Sequence, residues 1–222
     1  MSADTRAIEA VDSFAQRPGV PAIVTIDLHR GHLDPSVATL PLYEEAASAL
    51  MSRVLPILER ARRMDLPVVH VTTLYQDREE ILANPYWRYQ SGRGGVRSSI
   101  ADHQAPGSHL NLMPGVAQAG DVVVNTKRRY DSFVASDLDF VLRSRGCSTL
   151  FLMGVNTNSC VLATAIAASV RDYAVYVLSD GVDTMMGPDY HDAALRIIAG
   201  SFGWVVDADT MLSLVERQQG GT

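Results

Sequence analysis

The segment GVNTNSCV, residues 154–161, follows an apolar run typical of a buried strand and precedes a run of small residues at helical spacing. A cysteine in such a turn, here Cys160, lies near a helix N-terminus. The helix dipole there favours a thiolate, and exposed backbone N–H groups can bind an oxyanion. The setting therefore predicts a nucleophilic cysteine, although a free cysteine is more often a buried structural residue. Taken alone, the segment leaves both interpretations open.

Two other apolar runs of strand length lead into residues of complementary chemistry. Asp27 follows the run at residues 22–26, and Lys127 follows the run at residues 121–125. Taken singly, these residues would be an ordinary turn aspartate and a surface lysine. In open α/β sheets, however, ligands bind and reactions take place at the carboxyl ends of the strands. Three strand ends can thus supply a carboxylate base, a cation that orients it and lowers the thiol pKa, and a nucleophile.

Strand-like and helical segments alternate along the chain, which indicates an α/β fold. Strands separated by helices require right-handed crossovers, and these give a parallel sheet covered on both faces. We therefore expect residues 1–222 to form a single three-layer α/β/α domain with a central, mostly parallel sheet. The predicted strands are residues 22–26, 68–73, 121–125, 149–153, 174–179 and 203–206, and the predicted helices are residues 41–64, 137–144, 160–171 and 191–202.

Composition narrows the range of partners and compartments. The net charge of −6 and the lack of a Lys/Arg block predict that nucleic acid is not a partner. No apolar run is long enough to span a bilayer, and the acidic, helical-looking start of the chain is unlike a signal peptide, so we expect no membrane association. Two cysteines in 222 residues suit a reducing cytoplasm, and Cys147 is interpreted as a structural thiol.

The motifs together resemble those of the isochorismatase-like cysteine hydrolases, which include nicotinamidases, N-carbamoylsarcosine amidase, ureidoacrylate amidases and isochorismatase itself. The resemblance spans about residues 21–207 and rests on TIDLHRGHLD, KRRYDSF and GVNTNSCV, in that order. It implies the isochorismatase-like hydrolase fold, no cofactor, and a catalytic triad of Asp27, Lys127 and Cys160. It also implies an oxyanion hole made by the backbone N–H groups of Asn156 and Cys160, with a cis peptide bond before Asn156.

The function that the resemblance implies is hydrolysis of a linear amide or ureido C–N bond of a small molecule. Asp27 would accept the thiol proton, and Cys160 would attack the carbonyl carbon to form a thioester that water then hydrolyses. The local motifs are most similar to those of N-carbamoylsarcosine amidase. Two alternatives stay open: a vinyl-ether hydrolase of the isochorismatase type, against which the cysteine argues, and a non-catalytic, partner-binding member of the fold, against which the complete triad argues.

Two histidines depart from the family pattern. His29 and His32 stand where the family often has glutamine and phenylalanine. We interpret them as residues that border the pocket and bind substrate or hydrogen-bond locally. The alternative is a metal site, since nicotinamidases hold a metal ion with an aspartate and histidines. The Asp-x-His segment of nicotinamidases is absent here and no third ligand is evident, so we expect no metal ion.

The segment at residues 75–120 is long and has no clear periodicity, which in a compact domain is typical of a functional segment or a contact surface. Arg93 or Arg97 could pair with a substrate carboxylate, although either could equally be solvated or pair with a neighbouring subunit. Trp87 could form a pocket wall or an interface anchor, and Tyr130 is a further candidate for substrate binding. The aromatic and arginine content predicts a homo-oligomer, a dimer or tetramer, with this segment at the interface and the pocket rim.

Overall fold

A six-stranded parallel sheet forms the centre of the molecule. The computed structural model describes Phe14 and residues 19–95 and 97–220. The strands are ordered β3-β2-β1-β4-β5-β6, and each pairing between them is parallel. This confirms the predicted sheet. The strands are β1 (Val20–Ile26), β2 (Val68–Thr73), β3 (Val122–Lys127), β4 (Cys147–Val155), β5 (Ala174–Asp183) and β6 (Trp204–Val206).

Helices cover both faces of the sheet, which confirms the three-layer arrangement. Apolar residues of α2 and α9 pack on one face, and those of α6, α7 and α8 pack on the other. The helices are α1 (Arg30–Leu33), α2 (Glu44–Arg63), α3 (Arg78–Leu82), α4 (Pro85–Gln90), α5 (Ile100–Gln104), α6 (Leu138–Ser144), α7 (Leu162–Ser169), α8 (Pro188–Ser201) and α9 (Ala208–Gly220). Among these described helices, none has the length and apolar character needed to cross a bilayer.

Several boundaries differ from the sequence prediction. The predicted helix at residues 160–171 begins later, because a π-helical turn at Thr157–Val161 precedes α7. Helix α9 was not predicted at all, although Asp207 accepts a hydrogen bond from the Thr210 N–H at 2.8 Å just at its start. The helical pattern noted before residue 19 lies outside the described residues, except for Phe14.

The segment at residues 75–120 is more ordered than its sequence suggests. It contains α3, α4, α5 and a short 3₁₀ turn, Ser108–Leu110. Helices α3, α4 and α5 contribute to a separate small apolar cluster around Trp87, Tyr75 and Ile81. Trp87 is buried within this cluster, so its large side chain folds back into its own chain. The segment is therefore an ordered, packed part of the domain that covers one end of the sheet.

Gly154 brings β4 close to the end of β1. A Cβ atom at Gly154, whose φ is +119°, would lie only 2.1 Å from the carbonyl oxygen of Ile26. We expect Gly154→Ala to lower the free energy of unfolding by at least about 1–3 kcal/mol, since the added methyl group can fit only if the strands separate. Chemical denaturation measures this. Gly200→Ala in α8 is the matched control, because nothing lies within 4 Å there and alanine should be neutral or stabilising by up to about 1 kcal/mol.

Candidate active site

Three buried polar side chains meet at the carboxyl edge of the sheet. Asp27 follows β1, Lys127 ends β3, and Cys160 lies in the turn after β4. The Lys127 ammonium donates a hydrogen bond to Asp27 Oδ2 at 2.7 Å and lies 3.5 Å from Cys160 Sγ. The structure thus brings together a carboxylate, a cation and a thiol that are separated by up to 133 positions in the sequence numbering (27 to 160).

Thr73 completes the support of Asp27 and was missed by the sequence analysis. It ends β2, the strand between β1 and β3. Its backbone N–H and its hydroxyl donate to Asp27 Oδ1 at 3.2 and 3.1 Å, and its hydroxyl accepts from the Lys127 ammonium at 2.8 Å. Both oxygens of the carboxylate are therefore held. The sequence could have indicated Thr73 only through its position, since a residue at the end of β2 must lie beside the ends of β1 and β3.

The charge state of the three groups follows from burial and mutual attraction. Burial raises the pKa of Asp27, but the nearby Lys127 outweighs it and lowers the pKa to about 2. Burial opposes the charge on Lys127, yet Asp27 and the thiol raise its pKa above the usual value. Burial also raises the pKa of the Cys160 thiol to about 12, with Lys127 opposing and Asp27 adding to the shift. The resting site holds a carboxylate, an ammonium and a neutral thiol.

This thiol differs from the sequence prediction, which expected the helix N-terminus and the lysine to lower its pKa. The physical reason is that Cys160 is only 5% exposed, so a thiolate there would lose most of its hydration. The Asp27 carboxylate beside it adds repulsion. In this arrangement Asp27 can take the thiol proton and Lys127 can stabilise the thiolate, but only once a reaction begins.

The turn after β4 is fixed by hydrogen bonds at Asn156. The peptide bond between Val155 and Asn156 is cis, as the resemblance implied. The Asn156 side-chain oxygen accepts a hydrogen bond from the Met185 N–H at 2.9 Å, and its carbonyl oxygen accepts from the N–H groups of Ser159 and Val161. Asn156 and Cys160 both line the same cavity.

A narrow cavity leads to the Cys160 thiol. Arg97 and Tyr130 form part of its wall, and the Arg97 guanidinium donates a hydrogen bond to the Tyr130 hydroxyl at 2.8 Å. The same two residues also border an outer groove of about 620 Å³. The predicted site residues that line the cavity are Asp27, His32, Arg97, Lys127, Tyr130, Asn156 and Cys160.

The other predicted substrate-binding residues have different surroundings. Trp87 is buried behind Tyr130, to whose hydroxyl its indole N–H donates a hydrogen bond at 3.2 Å. Arg93 lies outside the cavity on the surface, with its guanidinium carbon 4.4 Å from the centre of the Tyr89 ring. His29 is buried, and its ring stacks on that of His32 at 4.9 Å. Of the two arginines considered, it is Arg97 that the structure brings to the cavity.

A third histidine, His103, joins His29 and His32. One ring nitrogen of each of these three buried residues lies within 4.8 Å of those of the other two. The prediction that His29 and His32 have no third potential metal ligand beside them is therefore wrong. His103 lies on α5, 71 positions after His32, so its proximity was not evident from spacing.

Comparison with known proteins places this geometry in a family. Ureidoacrylate amidohydrolase RutB of Yersinia enterocolitica is 38% identical over 99 residues, which cover 44% of this chain and 42% of RutB, so the match spans less than half of that relative. N-carbamoylsarcosine amidase from Thermoplasma acidophilum superposes with a TM-score of 0.65 and 27% identity over 86% of this chain and 97% of that one. The nicotinamidase of Staphylococcus aureus shares the fold, with a TM-score of 0.64 and 20% identity over 84% and 98%.

The family assignment rests on a match that covers most of the chain. The family model described as the isochorismatase domain matches residues 21–210. This range contains all six strands except the first residue of β1, together with the three side chains that meet at the sheet edge. The chain therefore belongs to the isochorismatase family.

Proposed function

We propose that this protein is an amidohydrolase that cleaves a linear amide or ureido C–N bond of a small molecule, with Asp27, Lys127 and Cys160 as its catalytic triad. The observation that carries the proposal is the buried contact of the three groups at the floor of a cavity that also contains the turn after β4. The names of RutB and the N-carbamoylsarcosine amidase, which describe ureido and carbamoyl substrates, support the substrate class.

The first half of the proposed reaction forms a thioester. The neutral Cys160 thiol gives its proton to Asp27 as the sulfur attacks the substrate carbonyl carbon. The Lys127 ammonium, which contacts both groups, stabilises the sulfur while negative charge is on it. The charge then moves to the carbonyl oxygen, which the backbone N–H groups of Asn156 and Cys160 would bind. Asp27 returns the proton to the leaving nitrogen, which departs as an amine or ammonia.

The second half hydrolyses the thioester. Asp27, again a carboxylate, takes a proton from a water molecule as the water attacks the thioester carbon. Collapse of this intermediate releases the carboxylic acid product and expels the Cys160 thiolate. The thiolate then takes back the proton from Asp27. The low pKa of Asp27, about 2, means that the carboxylate is a weak base. Transfer of the thiol proton to Asp27 must therefore accompany formation of the bond between sulfur and the carbonyl carbon, so that no free thiolate accumulates.

The cavity favours a small substrate that carries a carboxylate. The cavity is lined by one arginine, Arg97, and one lysine, Lys127, and Lys127 is already paired with Asp27. Arg97 contacts the uncharged Tyr130 hydroxyl and, within the part of the chain that the structure describes, makes no ion pair. Its guanidinium is thus available to bind a substrate carboxylate with two hydrogen bonds. His32 and Tyr130 would flank the substrate.

A substrate panel tests the proposed activity. Ammonia release would be measured with short ureido acids, their neutral analogues and simple primary amides, each against the Cys160→Ala variant as the control. We expect cysteine-dependent ammonia release that is greatest for a carboxylate-bearing ureido or amide compound. Failure of the entire panel, with folded protein, would count against the amidohydrolase proposal and in favour of a non-catalytic member of the family.

The role of Arg97 can be separated from that of Arg93. We expect Arg97→Met to raise KM for a carboxylate-bearing substrate by about 10–100-fold, the loss typical of hydrogen bonds to a charged group, and to change kcat less. KM for a neutral amide should change little. Arg93→Met is the matched control, because Arg93 is exposed and lies outside the cavity. Equal effects of the two substitutions would show that Arg97 does not bind the carboxylate.

The protein's assembly and location complete the proposal. We propose a homo-oligomer, a dimer or tetramer, in which residues 75–120 contribute to the interface. Tyr86 and Tyr89 of this segment are 55% and 58% exposed, and tyrosine is a residue type enriched at protein interfaces. Light scattering would report the mass.

We also propose that residues 1–222 work as one domain in the cytoplasm, where the two cysteines, both free in the structure, would stay reduced.

A further inference from the structure

Three buried histidines form a cluster beside the catalytic cavity. His29 and His32 come from the chain just after β1, and His103 comes from α5. All three are at least 95% buried, and one ring nitrogen of each lies within 4.8 Å of the others. Neither the proposed reaction nor the packing of the sheet requires three imidazole rings to meet at this place. We call these three residues the histidine cluster.

The two nitrogens that face each other already have the spacing of metal ligands. His32 Nε2 and His103 Nε2 are 3.1 Å apart. In a tetrahedral zinc site with Zn–N distances of 2.0–2.1 Å, two ligand nitrogens lie about 3.3–3.4 Å apart. An ion could therefore enter between the two rings with a small outward shift of each. The third ring, that of His29, has a nitrogen within 4.8 Å of the other two, near enough to complete the shell with a shift of the ring.

Hydrogen bonds on the far side of two rings set the tautomers that a metal ion needs. His32 Nδ1 lies 2.7 Å from the Leu40 carbonyl oxygen, which can only accept, so Nδ1 carries the proton and Nε2 presents a lone pair. His103 Nδ1 lies 2.8 Å from the Thr39 hydroxyl, which can donate or accept. His103 can thus carry its proton on Nε2 in the metal-free protein and on Nδ1 when Nε2 binds an ion. Such outer partners are typical of histidine ligands.

His29 is the weaker member of the cluster. Its Nδ1 accepts a hydrogen bond from the Gly31 N–H at 3.1 Å, so the neutral ring carries its proton on Nε2. Binding an ion costs this hydrogen bond, because Nδ1 must then either bind the ion or carry the ring proton. We therefore expect His29 to contribute less to affinity than His32 and His103.

The surroundings keep the rings neutral and open one side of the site to the cavity. Burial lowers the pKa of each of the three histidines, and that of His29 falls to about 3. Neutral imidazole is the form that binds metal ions. Lys127 repels a cation here, whereas the Asp27 carboxylate attracts one. His32 and His103 line the cavity that leads to Cys160. A fourth coordination position would face this cavity, where a substrate oxygen or water could occupy it.

We propose that His29, His32 and His103 bind one divalent transition-metal ion, with Zn²⁺ as the reference, at the wall of the catalytic cavity. Nitrogen ligands of this kind suit zinc and its neighbours in the first transition row, and three protein ligands with one open position are typical of a catalytic rather than a structural zinc site. The proposal differs from the sequence expectation of no metal ion, which depended on the lack of a third ligand. It does not rest on the proposed hydrolysis.

Zinc titration of the chelator-treated protein tests the site without an activity assay. We expect calorimetry to show one Zn²⁺ per chain and thermal melting to show a higher Tm with Zn²⁺ present, because binding to the native state alone stabilises it. X-ray absorption should show a first shell of nitrogen and oxygen. Sulfur in this shell would place the ion on Cys160 and overturn the proposal, as would the lack of any binding.

Substitutions can remove the ligand nitrogens but keep the outer hydrogen bonds. In His32→Asn and His103→Asn, the amide can replace Nδ1 in its contact with Leu40 or Thr39, while Nε2 is lost. We expect each to weaken zinc binding by more than the roughly 10–100-fold that a changed outer partner costs, and Thr39→Val to weaken it within that range. His191→Asn, outside the cluster, is the matched control. Unchanged zinc affinity in the folded double variant His32→Asn/His103→Asn would show that the cluster is not the site.

Discussion

Turnover should fall by on the order of 10⁴-fold or more when Cys160 is replaced by alanine, as is typical when a nucleophile is removed. The thiol is the proposed nucleophile, and it lines the cavity 3.5 Å from the Lys127 ammonium that also holds Asp27. Ammonia release measures the rate. Far-UV circular dichroism and Tm should stay close to the wild type, because the change removes one buried atom without unpairing Asp27 from Lys127.

Cys147→Ala is the matched control for this experiment. Cys147 is also buried, but it is the first residue of β4, at the opposite end of the strand from the catalytic turn. We expect it to keep near-normal turnover. Iodoacetamide should also modify Cys160 before Cys147, since Cys160 lines a cavity and Asp27 can take its proton as the sulfur attacks. A Cys160→Ala protein with near-normal rates would mean that another residue is the nucleophile.

Lys127→Met should damage both activity and stability. The substitution keeps an unbranched side chain but removes the ammonium that holds Asp27 Oδ2 at 2.7 Å and lies beside the sulfur. We expect turnover to fall by about 10²–10³-fold, as for the loss of one preorganised charge-stabilising group. The free energy of unfolding should fall by about 3–5 kcal/mol, since Asp27 is left charged, buried and without its cation. Steady-state kinetics and urea denaturation measure the two effects.

A double variant separates the catalytic from the structural contribution of this pair. In Asp27→Asn/Lys127→Met neither charge remains, so much of the stability lost in Lys127→Met should return. Turnover should not return, because an amide cannot accept the thiol proton. If Lys127→Met alone were nearly silent in both measurements, the lysine would be an ordinary buried residue and the triad proposal would fail at that point.

The sheet could be predicted from sequence because its strands are continuous apolar runs of the correct length. Boundaries were less accurate where local geometry departs from regular elements, as in the π-helical turn at Thr157–Val161 that delays α7. The short helices of residues 75–120 have no amphipathic period long enough to detect. Their start signals were nevertheless present: Asp77 accepts from the Glu80 N–H and Asn84 from the Trp87 N–H, the pattern of helix N-caps.

The site was predictable to the extent that its residues occupy strand ends. Asp27, Lys127 and Cys160 were found in this way, whereas Thr73 has no distinctive chemistry in sequence and was missed. His103 was missed because long-range proximity depends on how α5 packs over the sheet edge. The raised pKa of Cys160 depends on burial, which is a property of the packed site and cannot be deduced from the local sequence.

The division between the strand ends and the segment at residues 75–120 has an evolutionary consequence. The reactive groups are held by the sheet, whereas Arg97, Ile100 and His103, which shape the cavity, belong to the segment. Mutations in this segment could alter what enters the cavity while the hydrogen bonds among Asp27, Thr73 and Lys127 stay in place. This part of the cavity wall can thus vary independently of the strand ends, and a protein engineer could use the same boundary to alter specificity.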